Sequence, residues 1–165
     1  MTANKQMKIG VIVERAADVA FKSSDAEAVL GIWLVDDDAC CREHLTWSLN
    51  AEPRVDCSRS FSSSSLLAAL RQESPPDAIL MDMQMPVING IEAIRPIKNL
   101  APSTMVLMVT TFFDPRLQKQ ALATGAANFL LKRNSPAQII AAIRAASVRF
   151  SSPCRAHVLS PQQSN

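Results

Sequence analysis

The chain has no tyrosine, and aromatic residues make up only 5% of its 165 positions. A core with so few rings has to be aliphatic, and a hydrophobic content of 48%, rich in Ala and Leu, supplies one. Four glycines against ten prolines exclude a glycine-rich low-complexity chain and leave punctuated loops. The four cysteines (Cys40, Cys41, Cys57 and Cys154) form no CxxC and show no metal-ligand spacing. Neither a zinc site nor a disulfide scaffold is indicated, and reduced, largely structural thiols are expected. No apolar run approaches the length that spans a bilayer. The apolar stretch Ile9–Val13 is cut off by Glu14 and Arg15, too soon for a secretory signal. These absences read as a soluble, cytoplasmic chain with no membrane partner.

Acids are missing from one region as well. Residues 133–165 carry four arginines and no Asp or Glu, whereas residues 31–132 carry nine basic and eleven acidic side chains. The net charge of +2 therefore hides an acidic body and a basic tail. Four charges over such a length are ordinarily a solvated tail and do not by themselves indicate nucleic-acid binding.

What is present is an alternation of short apolar runs with helical patterns. The length suits one domain with a real core. Residues 1–30 show no clean periodicity and read as a loosely docked or disordered extension. From Gly31 onward, strands are expected at Gly31–Val35, Arg54–Arg59, Ala78–Met81, Met105–Thr110 and Ala127–Leu131. The second of these is polar and suits a sheet edge. Helices are expected at Ala39–Asn50, from the serines 62–65 through Glu73, over Gly90–Asn99, from Asp114-Pro115 to Gly125, and from Ser135-Pro136 onward. The last of them carries Ile139, Ile143, Ala146 and Phe150 on one face. Pro96 should kink or shorten the third helix. Trp47 lies opposite the apolar stripe of the first helix and either covers an edge of the extension, which is the expectation, or is an exposed contact. Residues 151–165 read as a tail or truncated linker.

Five strands each followed by a helix make a (βα)5 unit, an α/β fold of the flavodoxin-like, doubly wound kind with a five-stranded parallel sheet in the order 2-1-3-4-5. Its strands end in marked residues: Asp36 and Asp37 after the first, Asp82 after the third, Thr110 at the fourth and Lys132 after the fifth. An isolated Asp after a strand is a turn-former or helix cap, and Asp38 reads as one. Two strands delivering carboxylates to the same rim, with a hydroxyl and an ammonium, suit phosphoryl transfer instead. The acids would hold a hard divalent ion such as Mg²⁺. One carboxylate would be the nucleophile, and Thr110 and Lys132 would receive the phosphoryl oxygens.

These residues resemble the receiver domain of bacterial two-component response regulators across about Gly31–Phe150. Val35–Asp37 (VDD), Leu80–Glu92 (LMDMQMPVINGIE), Met108–Thr111 (MVTT) and Phe129–Lys132 (FLLK) follow the family's order. The intervals fit too: 45 positions from Asp37 to Asp82, 28 on to Thr110 and 22 more to Lys132. The resemblance implies that Asp82 accepts phosphate from a sensor histidine kinase. It implies that Asp36, Asp37, Asp82 and the backbone carbonyl of Gln84 bind Mg²⁺, and that Thr110 and Phe129 form a switch pair. In that pair the hydroxyl moves towards the phosphate and the ring turns inward behind it. The segments TTFFDP and LLKRNSP are similar to the LuxR/NarL-type branch, whose receivers precede a helix-turn-helix domain. No such domain follows here, so DNA binding is expected only from an output domain elsewhere. A homodimer or partner surface is expected on the fourth helix, fifth strand and fifth helix, including Leu117, Ala121 and Arg144. No enzyme activity beyond self-phosphorylation and autodephosphorylation is expected. Hydrolases similar to the haloacid dehalogenase group need an acid two positions after the nucleophile, where this chain has Gln84.

Overall fold

The computed structural model describes residues 28–86 and 89–151, with side chains as far as 148. Ile9–Val13, the 1–30 extension up to residue 27, Phe150 as a packing residue, and the tail with Cys154 lie outside the described residues and side chains. The elements alternate: β1 (Leu30–Val35), α1 (Ala39–Asn50), β2 (Val55–Phe61), α2 (Leu66–Gln72), β3 (Ala78–Asp82), α3 (Gly90–Leu100), β4 (Met105–Thr110), α4 (Pro115–Thr124), β5 (Asn128–Leu131) and α5 (Pro136–Ser151). All strand pairs are parallel, in the order β2-β1-β3-β4-β5. The polar strand β2 sits at one edge, as its sequence suggested.

The alternation of side chains along a strand divides the core in two. Trp33, Val35, Ile79, Met81, Val106 and Met108 face one way and meet α2, α3 and α4 through Leu66, Leu70, Ile91, Ile94, Ile97 and Ala121. Ile32, Leu34, Ala78, Leu80, Leu107 and Val109 face the other way and meet α1 and α5 through Leu49, Ile139 and Ile143. Burial on both faces is why β3 and β4 are unbroken apolar runs rather than alternating ones.

Local chemistry sets the helix ends. Asp38, Asn89 and Asp114 cap α1, α3 and α4, each accepting hydrogen bonds from the first-turn amides. Gly125 closes α4 in the left-handed region at φ 115°. The exception is α2, whose N-cap Ser65 makes no side-chain capping bond although it is the last of a run of serines before the helix.

Two expectations are corrected, and a third is not reached by the described residues. Pro96 does not shorten α3, which runs to Leu100; five buried residues (Gly90, Ile91, Ala93, Ile94 and Ile97) hold the helix to the sheet and offset the missing amide. Trp47 is 74% exposed, and the extension it was expected to cover lies, up to residue 27, outside the described residues. Ala121 is wholly buried in the core between α4 and the sheet, so it cannot contribute to a partner surface, whereas Arg144 is exposed and Leu117 half-buried.

A Cβ built on Gly125 meets only Ile94 Cγ2, at an ordinary 3.7 Å, so space is not the constraint there. Gly125→Ala should therefore lose about 1–2 kcal/mol, the conformational cost of an L-residue in the left-handed region, with a native-like core. Urea unfolding of both proteins measures it.

Candidate functional site

The strand register brings the marked residues to one level. Val35 pairs with Met81, so Asp36, one residue further, stands beside Asp82. Asp82 in turn pairs with Val109, and Thr110 with Leu131, after which the Lys132 amide continues the ladder by donating to the Thr110 carbonyl at 2.8 Å. The Lys132 ammonium reaches back across the sheet end, 2.6 Å from Asp36 Oδ2 and 3.3 Å from Asp82 Oδ1. Asp36, Asp82 and Thr110 are all buried.

Asp36 and Asp82 therefore share one cation unequally, and their electrostatics reflect it. Burial raises the Asp82 pKa above the usual carboxylate range and the nearby Asp36 charge adds to this, while Lys132 and the Gln84 amide pull the other way without cancelling it. Burial works against the Lys132 ammonium, but its hydrogen bond to Asp36 and the charges of Asp82 and Asp36 outweigh that, and its pKa is raised. The site is short of positive charge around Asp82.

Asp37 points elsewhere. Its Oδ1 accepts the Ser63 amide at 2.8 Å and its Oδ2 accepts the Ser63 hydroxyl at 3.0 Å. A bound metal would need oxygen ligands and negative charge, and the donor set here is all carboxylate and carbonyl. Among the described residues no three acidic, His or Cys side chains are gathered as a metal site would gather them. The residues nevertheless fit a hard divalent cation: Asp36 and Asp82 converge on a single cationic point, and Asp37 is one rotation away. At Gln84 the contact with Asp82 is through the amide.

By strand alternation, Thr110 and Phe129 lie on the opposite side of the sheet from Asp36 and Asp82, towards α2, α3 and α4. The Thr110 hydroxyl donates to the Phe112 carbonyl at 3.2 Å. Phe129 is already buried, its ring edge-on to Phe113 with centroids 6.3 Å apart.

Three supporting residues went unrecognised in the sequence. Ser63 clasps Asp37 from 26 positions away, hidden in a serine run that read as capping. Arg42 Nη1 donates to the Asp36 carbonyl at 2.6 Å and so fixes the backbone that carries both acids. Gly90 lies so close behind Asp82 that a Cβ there would collide with the Asp82 carbonyl oxygen and stand 2.7 Å from Met108 Cε. The Asn89-Gly90 turn signalled a loop, though not this close approach.

A model of the response regulator receiver domain family matches residues 32–144. The chain is 36% identical over 114 residues to the transcriptional regulatory protein YxjL of Bacillus subtilis, covering 69% of this chain and 52% of that one. It spans about half the length of the curated relatives it matches. Among solved structures, the signal receiver domain of the response regulator NarL from Mycobacterium tuberculosis is similar with a TM-score of 0.66 and 25% identity, over 73% of this chain and 98% of that one. A response regulator from Burkholderia pseudomallei, solved with a phosphorylated aspartic acid, a calcium ion and citrate, shares the fold at a TM-score of 0.64 and 21% identity, over 73% of this chain and 69% of that one.

Gly90→Ala forces a methyl group against backbone that cannot yield, and should cost about 1–3 kcal/mol in urea unfolding. The electrostatics make a second outcome testable. A raised Asp82 pKa means that the folded chain holds a proton there which the unfolded chain has released. The stability this gives is complete below the unfolded value near 4 and is lost as pH rises through the higher folded value. In chelator, Asp82→Asn should therefore raise the melting temperature at pH 7, with the gain shrinking towards pH 4.

Proposed function

The chain belongs to the response regulator receiver domain family, and from that premise we propose that it is a phosphorylation-dependent switch with Asp82 as phosphoacceptor. The observation that carries this is the Lys132 ammonium held between Asp36 and Asp82 at the carboxyl ends of parallel strands. In the proposed reaction a carboxylate oxygen of Asp82 attacks the phosphorus of a donor phosphohistidine as the P–N bond breaks, and the imidazole leaves with its electron pair. Asp82 has to be ionised to attack, and Lys132 favours that form. After transfer, Lys132 neutralises a phosphoryl oxygen and Thr110, released from Phe112, donates to another.

Asp36 and Asp37, with Asp82 and the Gln84 carbonyl, would hold Mg²⁺, which supplies charge neutralisation between the anionic donor and the acceptor carboxylate when bound. The donor is a sensor histidine kinase. Because Phe129 is already inward, the switch on this reading rests on Thr110 changing partner more than on a turn of the ring. The α4–β5–α5 face, with Leu117 and Arg144 but without Ala121, is the proposed dimer or partner surface. The receiver unit takes in about residues 31–150, works in the cytoplasm and is no enzyme beyond its own phosphorylation and autodephosphorylation.

The half-length match to relatives named as transcriptional regulators supports a second reading, that of the receiver part of a DNA-binding regulator. On it, specific DNA recognition belongs to an output domain, and these 165 residues alone bind DNA either not at all or weakly and in a strongly salt-dependent way.

Incubation with acetyl phosphate and Mg²⁺ should add one phosphoryl mass to the intact chain and none to Asp82→Asn. A gain that survives that substitution places the acceptor elsewhere.

A further inference from the structure

The serines 62–65 lie in the loop between β2 and α2, where their obvious use is to cap the helix. Only part of the run is used locally. The Ser62 and Ser64 hydroxyls pair at 3.2 Å, and the Ser65 hydroxyl donates to the Ser62 carbonyl at 3.2 Å. Ser63 differs from its neighbours in being buried, 5% exposed, and in directing both its donors at the carboxylate of Asp37. The loop is stitched to the same strand end a second time, by the Asp36 amide donating to the Phe61 carbonyl at 3.1 Å. Asp36 is tied down through its own carbonyl by Arg42, and its carboxylate is shared between the Asp38 amide and Lys132. Of the three acids in the site, Asp37 alone has both carboxylate oxygens on neutral donors, directed away from the shared cationic point.

From the Ser63–Asp37 clasp, and resting on the reading of the site as a divalent-ion centre, we infer that Ser63 sets the ion affinity of this receiver. It acts as a positioning residue that holds Asp37 out of the ligand shell until an ion draws it in. The clasp serves the ion-free state: three carboxylates around one ammonium repel, and turning one of them onto a pair of neutral donors separates the charges. Ion binding reverses the balance. Asp37 gives up the hydroxyl hydrogen bond to reach the metal, and that loss is subtracted from the binding free energy. A hydroxyl-to-carboxylate bond at a half-buried position is a contact large enough to measure in an affinity and too small to abolish it. Ser63 thereby makes the β2–α2 loop sensitive to whether the site is loaded.

The test titrates Mg²⁺ into the intact chain by calorimetry, for the wild type, Ser63→Ala and Ser63→Thr. Ser63→Ala removes the hydroxyl and keeps the amide, so the Mg²⁺ dissociation constant should fall by about threefold to tenfold. Ser63→Thr, which keeps the hydroxyl, should restore it. Acetyl phosphate labelling of Asp82 should be faster in Ser63→Ala at sub-saturating Mg²⁺ and equal to wild type at saturation. In the wild type, the Ser63 amide resonance should shift on adding Mg²⁺ as Asp37 leaves, which needs no variant to fold. Unchanged affinity in Ser63→Ala, or a Ser63 amide that ignores Mg²⁺ while residues around Asp82 respond, overturns the inference. Weaker affinity overturns it too, since Ser63 would then be presenting Asp37 to the ion. Absence of Mg²⁺-dependent labelling at Asp82 in every protein is a different result, and it removes the divalent-ion reading and this inference together.

Discussion

One ammonium between two buried carboxylates is the interaction on which the site depends. Lys132 comes from the last strand, Asp36 from the first and Asp82 from the middle of the sheet, so their contact requires separate crossovers to be correctly built. The interaction is not a large net source of stability. Desolvating three charged groups costs about as much as their attraction returns, while removing Lys132, which would leave two buried carboxylates facing each other, typically loses about 3–5 kcal/mol. Its consequence is poise. Lys132 lies closer to Asp36 than to Asp82, and burial raises the Asp82 pKa further. The Asp82 carboxylate is consequently the less satisfied of the two. Added positive charge, or a phosphoryl group that recruits Lys132, changes the local balance most at that point.

Sheet parity then separates two jobs. Asp36 and Asp82 follow the strand positions that face α1 and α5, whereas Thr110 and Phe129 follow those that face α2, α3 and α4. The carboxylates meet at the open strand ends through Lys132, while the Thr110 hydroxyl is turned to Phe112 on the other side of the sheet. On the proposed reading, a change at Asp82 would reach the α4 side through Thr110 without disturbing the packed layer below it. The Asn89 cap and the close approach of Gly90 hold the start of α3 tightly behind Asp82.

The β2–α2 loop and α1 add a third element. Ser63 and Arg42 act on the two neighbouring acids in different ways, one through the carboxylate of Asp37 and the other through the backbone of Asp36. The geometry explains why a serine run beside a helix start leaves that helix without a side-chain cap. The buried member of the run serves a residue 26 positions back, and the exposed members bond to one another.

The order of strands and helices, the polar edge strand, the caps at Asp38 and Asp114 and the stop at Gly125 were legible because each is a local rule: periodicity over a few residues, or a side chain that reaches its own turn. Of the expected convergence of Asp36, Asp37, Asp82, Thr110 and Lys132 on one rim, the structure joins Asp36, Asp82 and Lys132, because a parallel sheet sends every strand's end the same way, while Asp37 turns to Ser63 and the Thr110 hydroxyl to Phe112. The helix through Pro96 was legible from its apolar pattern, whereas its full length was decided by packing, which outweighed the residue's own preference. The burial of Ala121 was not legible, since it depends on what lies across from it. The partners of Asp37 and the clearance behind Gly90 were decided by tertiary structure alone. A hydrogen bond between residues 37 and 63, or a helix start pressed against the carbonyl of the strand before it, leaves no period in the sequence from which it can be inferred.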